Sequence, residues 1–193
     1  MALSKRVPHD QPYIVRRSPI AGRGGFATRR IRQGARIAEY VGERITTAEA
    51  DGRYDDEAMA AAGGHHTFLF VVDKRTVIDA RLGGNDSRFI NHCCDPNCEA
   101  VIEDRRVFIE AIRTIQPGEE LFYDYAYDRE PGQGPEADKL YPCHCGTETC
   151  RGSILALPPK RRRKKRSRKQ SSAAAPRRQS ASRVKRPARR SRA

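Results

Sequence analysis

From Lys160 onward the sequence contains nothing from which a folded core could be assembled. The stretch KRRRKKRSRKQSSAAAPRRQSASRVKRPARRSRA has one Val, no aromatic residue, and 17 Lys or Arg with no Asp or Glu. Like charges at that density repel. Too little apolar area is present to offset the entropy of ordering the chain. Pro158-Pro159 breaks any element running into it. The sequence therefore divides into a body and a disordered basic tail, residues 158–193.

The whole chain carries 38 Lys and Arg against 24 Asp and Glu, so the body keeps 21 basic side chains against all 24 acidic ones, a net charge of −3. A protein basic throughout that coats DNA is excluded. Nine Lys or Arg fall between Lys160 and Lys169, more than solubility requires. The tail over 160–193 is expected to bind nucleic acid or to serve as a localisation address. Such binding weakens steeply with salt, because each neutralised phosphate releases counterions. No apolar run approaches the ~20 residues that a bilayer needs. The opening MALSKRVPHDQPY lacks the apolar stretch of a secretory signal. The expectation is an intracellular protein without a membrane partner.

The body reads mainly as short strands. Pro12–Arg17 and Arg36–Val41 are rich in Val, Ile and Tyr. Phe68–Val72 and Thr76–Asp79 flank Asp73-Lys74-Arg75, and Ala100–Glu103 and Val107–Ile112 flank Asp104-Arg105-Arg106, which predicts two hairpins. Leu121–Tyr125 follows a Gln116-Pro117-Gly118 turn. The good helical stretch is Thr47–Ala62, with Thr47 as N-cap and Gly63-Gly64 as its end. The fold class is mostly β.

Six cysteines fall in two groups, Cys93, Cys94, Cys98 and Cys143, Cys145, Cys150. In a reducing compartment such clustering favours metal over disulfide. Cys143-His144-Cys145-Gly146-Thr147-Glu148-Thr149-Cys150 offers three thiolates for a tetrahedral zinc site. The fourth ligand must come from elsewhere, with Cys93, Cys94, Cys98, His92 and His144 as candidates. Gly22-Arg23-Gly24-Gly25-Phe26-Ala27 matches a loose dinucleotide fingerprint, but the long helix and parallel βαβ setting that this chemistry needs are missing. A glycine loop that lets backbone approach another cofactor, or a plain turn, stays open. Arg88–Cys98 (RFINHCCDPNC) places Asn91, His92 and Asn97 beside possible metal ligands. Gly118–Tyr125 (GEELFYDY) sets Tyr123 and Tyr125 on one face of a strand.

In this order the four motifs resemble the SET-domain protein lysine methyltransferases, over about Ile14 to Ile154. Gly22-Arg23-Gly24 resembles the family's first cofactor motif, followed by Glu39-Tyr40-Val41-Gly42-Glu43. Asp79-Ala80 and Gly84-Asn85 lead into Arg88–Asn97, similar to R-F-I-N-H-S-C-x-P-N with Cys93 in place of Ser. Gly118–Tyr125 is similar to G-E-E-L-x-F/Y-D-Y, and Cys143–Ile154 to the post-SET segment C-x-C-G-x3-C-R-G-x-I. The resemblance implies an N-terminal extension over 1–12 and a SET domain over 13–126 with a helical insert at about 47–64. A post-SET zinc segment follows over 139–157. It implies small β-sheets around a pseudoknot made by the Arg88–Asn97 and Gly118–Tyr125 segments.

The same resemblance implies zinc on Cys94, Cys143, Cys145 and Cys150, with Cys93 and Cys98 free. It implies S-adenosylmethionine held by Gly22, Arg23, Gly24, Tyr40, Asn91, His92 and His144. Tyr125 is the implied catalytic residue, in a lysine channel with Phe68 and Tyr123. Tyr123 at the family's Phe/Tyr position restricts methylation, whereas Phe68, where many members carry Tyr, makes room, so mono- or dimethylation is expected. The residues before Ile14 are too few for a cysteine-rich pre-SET module. Acidic residues Asp51, Asp55, Asp56 and Glu57 of the insert suit a basic peptide, histone or histone-like, or serve as a solvated helix face. The implied location is the nucleus and its chromosomes or a bacterial nucleoid, a host nucleus included. The tail lysines are candidate automethylation sites. The rival readings are a catalytically inactive SET-like binding module that works through its tail, and a zinc-stabilised scaffold.

Overall fold

The computed structural model describes residues 10–54, 68–129, 133–134 and 136–157. Residues 1–9, most of the expected insert with Asp55, Asp56 and Glu57, and the tail from 158 lie outside the described residues. The chain divides after Pro158 into two units, and every described residue belongs to the first. Among the described residues no helix is long and apolar enough to cross a membrane.

The described strands form four small sheets. The first is a hairpin of β1 (Tyr13–Ser18) and β2 (Gly22–Ala27), antiparallel from Tyr13 opposite Ala27 to Ser18 opposite Gly22. β3 (Arg36–Tyr40) and β4 (Glu43–Thr46) lead into helix α1 (Thr47–Arg53). β5 (Leu69–Asp73) and β6 (Thr76–Asp79) form the first expected hairpin, and β4 pairs with the free side of β6. A 3-10 turn (Asp86–Phe89) precedes β7 (Asn91–His92). β8 (Cys98–Glu103) and β9 (Arg106–Ala111) form the second hairpin, with β3 on the other side of β9. Last comes β10 (Phe122–Tyr123), parallel to β7.

Several sequence expectations are corrected. The helix cap is Thr46 and not Thr47: its hydroxyl accepts from Glu49 N at 3.2 Å while Glu49 Oε2 accepts from Thr46 N at 2.7 Å, a closed capping box. Helix α1 ends at Arg53, and the expected continuation over 55–62 lies outside the described residues. Tyr54 leaves helical geometry at φ −128° and ψ 88°, its hydroxyl donating to Asp79 Oδ2 at 2.8 Å. The Gly22–Ala27 motif is a strand, not a loop. Glycine has low β propensity, so β2 owes its form to six cross-strand pairs with β1. β4 was not expected at all; Ile45 is its one buried side chain. The second hairpin turns at Asp104-Arg105, both at positive φ (48° and 61°), the signature of a tight primed turn.

The core lies between these sheets. β9 is buried on both faces from Val107 to Ala111, which explains its nearly unbroken apolar run. Ile109, Ile115, Leu121 and Ile90 are at most 1% exposed and pack with Tyr13, Ile37 and Tyr123. Each such aliphatic side chain contributes about 1.5–3 kcal/mol by leaving water. Arg36 is buried on the same sheet, with Nη2 2.8 Å from Glu110 Oε1, 3.0 Å from Glu103 Oε2, and its guanidinium 3.7 Å from the Phe108 ring centroid.

Candidate active site and metal centre

Two segments about thirty positions apart are joined side by side. β7 and β10 pair Asn91 with Phe122 and His92 with Tyr123. Two strand residues on each side are too few to hold alone, and two asparagines supplement them. The 2%-exposed Asn97 donates from Nδ2 to Glu120 O at 2.8 Å and accepts from Phe122 N at Oδ1, also 2.8 Å. Asn91 donates from Nδ2 to Arg23 O at 2.8 Å and Glu120 Oε1 at 2.8 Å, which draws β2 onto the same junction. A side-chain amide can replace backbone partners in this way because it carries both donor and acceptor.

Glycine 24 has its reason here. A Cβ at Gly24 would lie 2.0 Å from Glu120 Oε1 and 3.0 Å from Ser18 Cβ. The missing side chain leaves room for the carboxylate that Asn91 holds.

His92 is 4% exposed. Its Nδ1 accepts from Tyr125 N at 3.1 Å, and its Nε2 lies 3.4 Å from Cys94 Sγ. The accepting Nδ1 assigns the proton to Nε2. Burial holds its pKa down to about 4, so the ring is neutral at physiological pH. The Tyr125 ring packs edge-on to His92 at 5.3 Å, 4.8 Å from Tyr123 and 5.6 Å from Tyr127, on which it stacks. Tyr125 Oη donates to Ile90 O at 3.0 Å. Burial raises both the Tyr125 and Tyr123 phenols well above their ordinary range, so both stay protonated.

These rings open onto a cavity of about 620 Å³. One wall is Ile20, Ala21 and Arg23, with the Arg23 guanidinium 4.0 Å from the Phe89 ring centroid. A second wall holds Tyr40, whose hydroxyl donates to Phe68 O at 2.9 Å, together with Phe68 and Arg88. Asn91, His92, Tyr123, Tyr125 and Tyr127 form the floor, and Lys139–Pro142, His144 and Ile154 close the remaining side. That last side is tied down by backbone bonds: Tyr127 N to Ile154 O at 3.2 Å and Ala156 N to Tyr127 O at 2.8 Å.

The sulfurs of Cys94, Cys143, Cys145 and Cys150 lie within 4.8 Å of one another, with Cys94 and Cys143 3.7 Å apart. Zinc with ~2.3 Å bonds to four thiolates places tetrahedral sulfurs ~3.8 Å apart, so the quartet fits that ion. Backbone N–H groups point at three of the sulfurs, Arg151 N at Cys94 Sγ, Cys145 N at Cys143 Sγ and Gly152 N at Cys150 Sγ, each at 3.4 Å, the kind of outer hydrogen bond that supports metal-bound thiolates. Cys93 and Cys98 stand outside the quartet. Burial raises their pKa to about 11 and about 12, so they remain thiols. Zinc would tie the Cys143–Cys150 segment to the residue two beyond His92 and contribute folding free energy directly.

Of the residues expected from sequence, Arg23, Tyr40, Phe68, Asn91, His92, Tyr123, Tyr125 and His144 all line the one cavity. Gly22 and Gly24 do not. Gly22 turns the chain at φ +76° and Gly24 accommodates Glu120. Sequence reasoning missed Tyr127 and Tyr141, two further cavity tyrosines. It also missed Arg151, which holds the Asp124 carboxylate with two nitrogens, Nη1 to Oδ2 at 2.8 Å. The alternation Tyr123-Asp124-Tyr125-Ala126-Tyr127 was the available signal for Tyr127.

Small sheets around a paired histidine strand and tyrosine strand, closed by a cysteine quartet, define a SET domain. The family model for the SET domain matches residues 22–126, and the chain belongs to that family. It is 40% identical over 158 residues to "Histone-lysine N-methyltransferase, H3 lysine-4 specific" of Saccharomyces cerevisiae, covering 80% of this chain and 14% of that protein. It is 40% identical over 139 residues to "Histone-lysine N-methyltransferase trithorax" of Drosophila melanogaster, covering 70% of this chain and 4% of the relative. With the Eremothecium gossypii "Histone-lysine N-methyltransferase, H3 lysine-4 specific" the identity is 38% over 158 residues, 80% and 16% of the two chains. The chain thus spans a small fraction of the length of the curated relatives that it matches.

Proposed function

We propose that the chain is a protein-lysine N-methyltransferase that uses S-adenosylmethionine and acts on basic histone or histone-like proteins. The observation that carries this reading is the Tyr125 hydroxyl, donated to Ile90 O at 3.0 Å inside a cavity walled by β2, β7 and the cysteine segment. The cavity's volume lies within the ~300–1,000 Å³ typical of small-molecule sites. Its aromatic faces suit a cationic sulfonium, and its Arg23 and backbone groups suit a polar amino acid moiety.

When bound, S-adenosylmethionine supplies an electrophilic methyl group. The chain's residues then do the following. Arg23, Tyr40, Asn91, His92 and His144 hold the cofactor, and Gly22 and Gly24 shape the strand that carries Arg23. Tyr125 is the catalytic side chain. Because its proton is committed to Ile90 O, its oxygen lone pairs are free to accept from the substrate amine and aim it at the methyl group. Fixing that approach can supply several kcal/mol of the barrier. The phenol stays protonated, so Tyr125 orients rather than deprotonates. The attacking lysine reaches the neutral form by desolvation beside a positive charge and releases its proton to water. Tyr123 and Phe68 bound the space around the amine and limit the methyl count to one or two.

The quartet Cys94, Cys143, Cys145 and Cys150 binds zinc and so holds the cavity's closing side. The 160–193 tail binds nucleic acid and keeps the enzyme near its substrate inside the cell. The histone-directed names of the relatives favour the nuclear alternative and lend no support to a nucleoid. The test is transfer of labelled methyl from S-adenosylmethionine to a panel of basic proteins, beside Tyr125→Phe. The expected result is label on a histone-type protein, lost in the variant. Equal transfer by both proteins would remove Tyr125 from the mechanism, and no transfer by the parent chain would overturn the reading.

A further inference from the structure

We infer that Arg151 is a positioning residue that couples the cysteine quartet to the cavity tyrosines through Asp124. The inference rests on the methyltransferase reading above and adds a residue to it. Arg151 immediately follows Cys150, and three parts of it point in three directions. Its backbone N–H points at Cys94 Sγ at 3.4 Å. Its Nε donates to Leu155 O at 3.1 Å, which fixes the side chain's stem. Its Nη1 and Nη2 grip both oxygens of Asp124.

Asp124 stands between Tyr123 and Tyr125, and its Oδ1 also accepts from Ala126 N at 3.0 Å. Ala126 is at φ +43°, a conformation unfavourable for a residue with a Cβ. The turn that sends Tyr127 back over Tyr125 is therefore held by this carboxylate. On the far side, His92 Nδ1 lies 3.5 Å from Asp124 Oδ1 while it accepts from Tyr125 N. One ion pair thus ties the metal segment to the backbone on both sides of Tyr125. The pair is partly shielded, Arg151 being 17% exposed and Asp124 36%. A bidentate guanidinium–carboxylate pair fixes angle as well as distance, which a lone ammonium cannot do.

The experiment uses the full chain loaded with zinc, as Arg151→Gln, Asp124→Asn, the double variant, and Arg151→Lys. Three quantities are read: zinc per chain, the near-ultraviolet circular dichroism, and kcat with KM. The chain has 7 Tyr and no Trp, and Tyr40, Tyr123, Tyr125, Tyr127 and Tyr141 line the cavity. Its near-ultraviolet signal is therefore chiefly a cavity signal. Each single variant is expected to keep its zinc, to alter that signal, and to lower kcat by about ten- to a hundredfold with little change in KM. The double variant should be no slower than the slower single one, and Arg151→Lys should recover only part of the rate. Loss of zinc from Arg151→Gln, additive losses in the double variant, or unchanged spectra and kcat in Asp124→Asn would each overturn the inference. A parent chain that transfers no methyl group would refute the proposed function, while the spectral arm would still decide the coupling.

Discussion

Gly24→Ala tests the junction beneath the cavity. The new methyl group would sit 2.0 Å from Glu120 Oε1, 2.8 Å from Glu120 Cδ and 3.0 Å from Ser18 Cβ. The carboxylate must retreat by more than an ångström to reach ordinary contact, and its 2.8 Å bond from Asn91 Nδ2 is then lost. A hydrogen bond to a charged group is worth about 1.5–3 kcal/mol. Crowding of Ser18 adds to the loss, and the lower chain entropy of unfolded alanine offsets about 0.4–1 kcal/mol. The net expectation is a destabilisation of about 2 kcal/mol, or ~4–8 °C in midpoint for a body of this size. Urea unfolding of the zinc-loaded protein measures it. In a Glu120→Ala background only the crowding of Ser18 remains, and the cost of Gly24→Ala should fall to less than half. An equal loss in both backgrounds would refute the steric argument and place the need for glycine elsewhere.

Zinc content should be one per chain, unchanged in Cys93→Ser and Cys98→Ala, and strongly reduced in Cys94→Ser, as read by chelator-released metal. Tyr123→Phe should raise the number of methyl groups per lysine in product mass spectra; an unchanged product would remove Tyr123 from the channel. Glu110→Ala leaves the buried Arg36 short of its main partner and should cost about 3 kcal/mol, whereas Arg36→Met with Glu110→Leu should recover most of it in denaturant titrations.

The candidate site was more legible in the sequence than the fold around it, for a physical reason. Asn91, His92, Tyr125 and the trio Cys143, Cys145 and Cys150 stand out by residue type and spacing, whereas Cys94 could be chosen among Cys93, Cys94 and Cys98 only through the family resemblance. Strand identity in β2 does not stand out, since GRGGFA lacks β propensity and gains its form from β1. The reason for Gly24 lies at Glu120, far along the chain, where no local pattern could reveal it. The Thr46 cap was missed by one residue because Thr47 is an equal candidate by composition, and only the reach of Glu49 distinguishes them. Arg151 reads as an ordinary surface cation until the fold brings Asp124 to it.

The pairing of β7 with β10, and the meeting of Cys94 with a cysteine 49 positions later, set the order in which the protein comes into being on the ribosome. The hairpins β1–β2 and β8–β9 can close as soon as they emerge. Neither the cavity nor the quartet exists until the last cysteine has cleared the exit tunnel, because each needs residues from both ends of that span. A chain cut short before Cys143 therefore has neither the closed cavity nor the quartet. Both are completed together, when the Cys143–Cys150 segment reaches Cys94.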